Sequence, residues 1–257
     1  FAWSKSLAGL LKRDFHVHTH LSACGSPEAT LEEVLRASRE AGLEALGISD
    51  HIVNSEDLGR PWLVRERLPA DTGDLRVYVG CETEMATPAV AKIDAAFADT
   101  LDFVIMSASH LFNPGVQRPG TLSPEAMAAH ILEMMRGAIA LGFVDIIAHP
   151  FSVPVSPVPF EAIVAAADQE ELRDTAALAA CEGVAMECNP AFLRGAPEAM
   201  GLLIRCFLEV GCKLAVNSDA HHPAHIGCRG PQYASEEELR AAGVTEDCLW
   251  RIEDRRA

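Results

Sequence analysis

Apolar and polar positions change period repeatedly along this chain. Short apolar runs of strand length alternate with longer stretches in which apolar residues recur at helical spacing, the pattern of βαβ units around a parallel sheet. The first run carries Asp14-Phe15-His16-Val17-His18. Ala45 to Ser49, Leu75 to Gly80, Phe103 to Met106, Phe143 to Ala148, Gly183 to Cys188 and Leu214 to Asn217 complete a set of seven predicted strands. Between them, Thr30 followed by Glu33 has the spacing of a capping box ahead of a helix that Gly42 ends. Further helices are predicted around Ala89 to Ala98, from Ser123-Pro124 onward, within Phe160 to Ala180, and from Pro197 to Val210. Ile52 to Asp74, with Pro61, Pro69 and three arginines, reads as a long connection of the lid or binding-loop kind. The tail from Ala234 to Ala257 reads as helical and polar.

Length and composition narrow this picture. At 257 residues the chain has the size of one closed α/β barrel, so residues 1–257 are expected to form a single domain. Hydrophobic residues make up 49% and charged residues 23%, as in an ordinary globular protein. The net charge of -16 repels phosphate backbones and anionic lipid, which argues against long nucleic acid and against a membrane as partners. A small phosphorylated metabolite stays compatible, because bound cations invert the local field of one pocket. The eight cysteines are scattered without CxxC pairs, so most are expected to be reduced thiols. Leu7 to Leu11 is too short for a signal-peptide core, and no apolar run approaches a membrane span. A cytoplasmic location is the default expectation, although the chain begins at Phe1 without a methionine. Oligomeric state is not legible.

The chemistry-bearing residues sit where the predicted strands end. Alternation along a strand puts His16 and His18 on one face, with Val17 turned into packing, so two imidazoles can share one cation. His51, Glu82, His110, His149, Asp219 and His221 each follow a predicted strand, and all are metal-ligand types. In barrels of alternating strands and helices, functional residues collect at the carboxyl ends of the strands.

Six segments carry a resemblance: His16-Val17-His18, Ser49-Asp50-His51, Gly80-Cys81-Glu82, Ser109-His110, Ala148-His149-Pro150 and Asn217-Ser218-Asp219-Ala220-His221. In this order the chain resembles the polymerase and histidinol phosphatase (PHP) family of metal-dependent phosphoesterases. The resemblance implies a distorted (β/α)7 TIM-like barrel holding two or three divalent ions (zinc, manganese or iron). It assigns His16, His18, Glu82 and Asp219 to one ion, Glu82 as a bridge with His110 and His149 to a second, and His51 and His221 to a third. The family usually has a histidine or aspartate six residues after the second histidine of the first motif. Here that position is Cys24, a thiol that can bind zinc, with His20 as a substitute.

The expected function is hydrolysis of a small phosphate monoester. Asp219 and His221 are candidates for proton transfer. Arg194, in Glu187-Cys188-Asn189-Pro190-Ala191-Phe192-Leu193-Arg194, resembles a segment of histidinol phosphatase-like proteins whose arginine binds phosphate, with Arg60, Arg118 and Arg229 behind it. The alternatives are a phosphodiesterase or exonuclease acting on a nucleotide or short oligonucleotide, and a non-catalytic regulatory module.

Overall fold

A computed structural model of the chain describes residues 9–255. Strand β1 (Arg13–Val17) is followed by helix α1 (Leu31–Glu40), β2 (Ala45–Ile48), β3 (His51–Ile52) and α2 (Arg60–Arg67). Next come β4 (Arg76–Val79), β5 (Cys81–Thr87), β6 (Val90–Ala91), α3 (Ala95–Ala98), β7 (Val104–Ser107) and α4 (Pro124–Ala140). The second half runs β8 (Ile146–Ala148), α5 (Phe160–Ala165), α6 (Gln169–Cys181), β9 (Ala185–Cys188), α7 (Pro190–Gly195), α8 (Pro197–Glu209), β10 (Leu214–Val216) and α9 (Glu236–Ala241).

Two barrel strands are broken into halves. β2 pairs with β1 and β4 in one parallel sheet, while β3 and β5 continue the same lines into a second sheet ordered β10-β9-β8-β7-β5-β3. Counting β2 with β3, and β4 with β5, gives the seven strands of a distorted (β/α)7 barrel. An isolated parallel bridge, Val17 to Ala220, links the end of β1 to the turn after β10, with the His18 N–H donating to the Ala220 carbonyl and the Ala220 N–H to that of His16. At Gly80, between β4 and β5, a Cβ would stand 2.4 Å from the Phe103 carbonyl oxygen, so only glycine lets this strand turn from one sheet into the other.

Apart from β4, whose Arg76 is exposed and whose Val77 and Tyr78 are half-buried, the apolar runs predicted as strands are buried on both faces, as parallel strands under helices are. The largest core fills the space between the strands and α4, α5, α6 and α8. A smaller one lies between α1 and β1, β2 and β4, and takes Val17, Leu46, Ile48 and Val79. Inside the barrel, at the amino ends of the strands, Phe15, Phe103 and Trp250 meet edge to face, with centroids 5.3 and 5.1 Å from Phe15 to its two partners. Strict alternation would send Phe15 the way of Val17. The register of β1 shifts between Asp14 and Val17, and this frees Phe15 for the plug while His16 and His18 still face the opposite end.

Three expectations are corrected. The stretch read as one long connection contains β3, a 3-10 turn at Ser55–Gly59 and α2. Asn54 and Asp57 cap that turn reciprocally, and Pro61 opens the helix. The helix predicted from Ala89 starts only at Ala95, because β6 first pairs antiparallel with β5 and Asp94 is the N-cap. The tail is helical only over α9 and two short 3-10 turns. Leu249 bridges to Leu214 and Trp250 is buried beneath the barrel, so its sparse apolar residues are a plug rather than a helix stripe. The expectations that touch Phe1, Leu7 and the last two residues fall outside the described residues. No helix among the described residues is long and apolar enough to cross a membrane.

Candidate metal centre

Glu82 is the hub. It is the second residue of β5, fully buried, and its carboxylate stands 3.1 Å from His51 Nδ1, 3.1 Å from His149 Nε2 and 3.2 Å from His16 Nε2. His18 Nε2 at 3.6 Å and His110 Nε2 at 3.8 Å complete a ring of five imidazoles. Asp219 Oδ1 faces the same ring from the other side, 3.2 Å from His18 Nε2 and 3.4 Å from His16 Nε2. His221 lies beside it, with Nδ1 2.9 Å from the Asp219 carbonyl. Of these eight residues, His16, His18, His110, His149, Asp219 and His221 lie at or just past strand ends, and His51 and Glu82 lie where the broken strands resume as β3 and β5.

The polypeptide is strained where these ligands sit. Asp219 has φ +53° and His149 φ +22°, both outside the comfortable range for a side-chain-bearing residue. Each such residue costs about 1–3 kcal/mol, and surrounding bonds hold it. Glu187, wholly buried on β9, accepts the His149 N–H at 2.7 Å, the Asn217 amide at 2.9 Å and sits 2.8 Å from His16 Nδ1. Asp14 receives Ser218 Oγ–H at 2.6 Å and the Ser218 and Gly227 N–H groups, which locks the turn that presents Asp219. Asp50 holds the other side of the mouth, accepting from the Thr19 backbone N–H and hydroxyl and from the Ser22 hydroxyl.

Donor chemistry tests whether cations fit. His16 Nε2 and His51 Nδ1 are buried and make no hydrogen bond, although carboxylate oxygens lie near both. Such nitrogens point at a common space rather than at an acceptor, and a buried polar atom without a partner is costly. Burial alone would lower the pKa of His16, yet the Glu187, Asp219 and Glu82 carboxylates raise it well above the usual imidazole value. Burial alone would raise that of Glu82, yet His51, His16 and His110 hold it well below the carboxylate range. His51 is pushed down to about 4 by burial. A field that draws positive charge toward His16, next to a neutral His51, suits divalent ions bound by imidazole and carboxylate.

Three groups of ligand atoms lie within 4.8 Å of one another: His16, His18 and Asp219; His16, Glu82 and His149; and His18, Cys24, His51 and His221. Cys24 therefore joins the imidazoles that the family resemblance pairs with it. Its loop folds tightly there, since a Cβ on Gly25 would lie 2.1 Å from the Thr19 carbonyl oxygen. Cys24 itself is exposed at the cavity edge. Partial burial of its sulfur, then the Glu82 charge, pushes the thiol up to about 11, so it ionises at neutral pH only against a cation. His20 is turned to the Ala29 carbonyl and belongs to none of these groups.

Other expected site residues are placed differently. Arg194 on α7 spends its guanidinium on the Tyr233 carbonyl and on Glu238, 2.6 Å away, and does not line the cavity over the ligands. That cavity, about 580 Å³, is bounded by Cys24, His51, Arg60, Asn113, Ser152 and the ligand cluster. Arg118 packs over Phe112, and Arg229 lies near Glu40. Sequence reasoning passed over two carboxylates. Glu84, two residues beyond Glu82 and so on the same strand face, stands 3.2 Å from His110 Nδ1 and is held by Lys92 and Asn113. The other is Glu187, an isolated acid inside an apolar strand, a signal that buried polar function leaves in sequence.

A model of the PHP domain matches residues 14–191, from Asp14 in β1 to the start of α7. The chain belongs to the PHP domain family. Among curated relatives, a probable phosphatase of Thermoanaerobacter is 25% identical over 249 residues, covering 93% of this chain and 90% of the relative. A probable histidinol-phosphatase of Deinococcus radiodurans is 26% identical, covering 84% and 88%. The crystal structure of histidinol phosphate phosphatase from Lactococcus lactis, complexed with zinc, L-histidinol and phosphate, shares the fold with a TM-score of 0.60. It has 16% identity and covers 90% of this chain and 92% of that one. Asp219 and His221 lie beyond the matched family residues and are nonetheless folded back onto His16 and His18.

Proposed function

We propose that this PHP-family chain is a metal-dependent hydrolase of small phosphate monoesters, acting as one domain with two or three divalent ions at the barrel mouth. The observation that supports this reading is the convergence of five imidazoles on Glu82, with His16 Nε2 and His51 Nδ1 left without hydrogen bonds. His16 and His18 each belong to two of the ligand groups, so each must commit its free nitrogen to one ion, while Glu82, with two oxygens, can serve two. When bound, the ions supply Lewis acidity toward phosphate oxygens and an acidified water.

The chain's own groups do the rest. Glu187 holds Nδ1 of His16, and Glu84 that of His110, so that Nε2 of each faces Glu82. Asp219 and His221 are the candidates for moving protons between water and leaving alcohol. Asp219 stays ionised because His16 and His18 outweigh its burial. Burial, then the charge on His18, lowers the pKa of His221, so near neutral pH it is a proton acceptor. Cys24 is assigned to the third site with His18, His51 and His221, where a thiolate among imidazoles favours zinc over manganese. The family resemblance to histidinol phosphatases and the names of the relatives support a small phosphorylated metabolite as substrate. The surplus of acidic residues counts against long nucleic acid, and the completeness of the donor set counts against a merely regulatory role.

Turnover of p-nitrophenyl phosphate against bis-p-nitrophenyl phosphate, with the protein reconstituted in zinc or manganese, tests the reading. The monoester is expected to be favoured at least about tenfold in kcat/KM, about 1.4 kcal/mol. Preference for the diester would transfer the chain to the phosphodiesterase class.

A further inference from the structure

Arg60 is the one lysine or arginine among the described residues that line the cavity. It stands at the start of α2, in the segment that follows His51, and its side chain is 20% exposed. Two contacts fix it. Its Nη1 donates to the backbone carbonyl of His51, and its Nη2 is 2.7 Å from Asp57 Oδ1. A guanidinium carries five N–H donors, so two partners leave capacity for a third.

Among the described residues that line the cavity, Asp57 is the sole carboxylate outside the ligand cluster, and both of its oxygens are engaged by neighbouring groups. Its Oδ2 accepts the Val53 and Asn54 N–H groups at 2.9 and 3.1 Å, and its Oδ1 faces Arg60. Glu82 and Asp219, the other lining carboxylates, face the imidazoles. Outside the ligand cluster, an ammonium group on a substrate would therefore find only Asp57, already paired with Arg60, and it would lie beside a permanent cation. An anion would meet a guanidinium already oriented by two bonds, the arrangement that suits carboxylate and phosphate. At about 580 Å³ the space exceeds what one phosphate needs, so the alcohol half of the ester lies inside it.

We propose that Arg60 binds a second anion on the leaving-group half of the substrate, so that the enzyme selects phosphomonoesters whose alcohol carries a carboxylate or another phosphate. The proposal rests on the phosphomonoesterase reading above and deepens it. Phosphorylated amino alcohols, L-histidinol phosphate among them, are then disfavoured substrates of this chain.

Four esters of similar size provide the test with zinc- or manganese-loaded protein: phosphoglycolate, ethylene glycol bisphosphate, ethyl phosphate and phosphoethanolamine. At least one of the two dianionic-plus esters should exceed phosphoethanolamine in kcat/KM by about tenfold or more, and which one does so tells carboxylate from phosphate. Arg60→Gln should bring that ratio close to one, and Arg60→Lys should restore part of it. A wild-type ratio of one or below overturns the proposal. So does an Arg60→Gln variant that loses rate on all four esters equally and keeps the wild-type ratio, because Arg60 would then only be supporting His51. Should Arg60→Gln not fold, the wild-type ratio and its dependence on Arg60→Lys decide in the same way. Absence of turnover on every monoester would overturn the phosphomonoesterase reading together with this one, whereas turnover without charge preference overturns this one alone.

Discussion

The two ends of the barrel are built from the same strands and obey opposite rules. At the amino end, Phe15, Phe103, Trp250 and four alanines close the interior with apolar contact, and Trp250 Nε1 is buried there without a hydrogen bond. At the carboxyl end, β1 turns from Phe15 to His16, β8 runs from Ala148 into His149, and β9 from Ala185 to Glu187. There the interior is carboxylate and imidazole, two of its nitrogens lack hydrogen bonds, and two residues carry positive φ. One end supplies stability and the other depends on charge from outside the chain. Such a division lets the mouth be strained and polar without unravelling the barrel.

The sharpest way to break the comparison is one substitution at each end. Phe103→Ala should cost about 3–5 kcal/mol in a denaturant titration while the folded fraction keeps its metal content. Glu82→Gln should do the reverse, lowering turnover by about a thousandfold or more (about 4 kcal/mol) and removing bound metal, with the metal-free protein still folded. Full metal occupancy in Glu82→Gln would remove Glu82 from the centre. A smaller effect is expected one step outward. Glu187→Gln, which keeps the shape but weakens the hold on His16 and His149, should lower metal affinity by about 10–100-fold in a competition titration.

Cys24 sharpens the comparison within the mouth itself. Cys24→Ser should remove about one zinc per chain, a change comparable with losing one thiolate from a tetrahedral site, and Cys24→Asp should keep the ion while shifting preference toward manganese. Elemental analysis after dialysis against each metal reads both. An unchanged zinc content in Cys24→Ser would leave the third site to imidazoles alone. The smallest effect is expected at Arg194, whose guanidinium is held by Glu238 and the Tyr233 carbonyl. Arg194→Ala should change kcat/KM by less than about twofold, under about 0.4 kcal/mol. A tenfold fall would show instead that this pair opens to grip the phosphate.

How much of this was legible in the sequence follows from the kind of signal each residue leaves. His16 and His18 announce themselves through period-two spacing on a strand, and His149 and Asp219 through their place at the end of apolar runs. Cys24 was placed beside His51 and His221 by the family resemblance, and the fold brings their ligand atoms together. Glu84 obeys the same period as Glu82 and was readable, but the break at Gly80 made the strand appear to end before either. The Arg60 contact was not readable. It depends on a helix hidden in a proline- and arginine-rich stretch, and on Asp57 turning back to cap Val53 and Asn54. Nor was the tail's role readable, since Trp250 reaches Phe15 across 235 positions of sequence, a contact that only the tertiary fold creates.

The central claim is that the carboxyl end works only with divalent ions, and the most direct measurement takes metal content and turnover from the same sample. Protein stripped with a chelator, then titrated with zinc or manganese, is assayed on a phosphomonoester at each step. The account predicts background turnover in the stripped protein, recovery that rises with bound metal, and full rate at two to three ions per chain. Full turnover in protein holding far less than one ion per chain would contradict it.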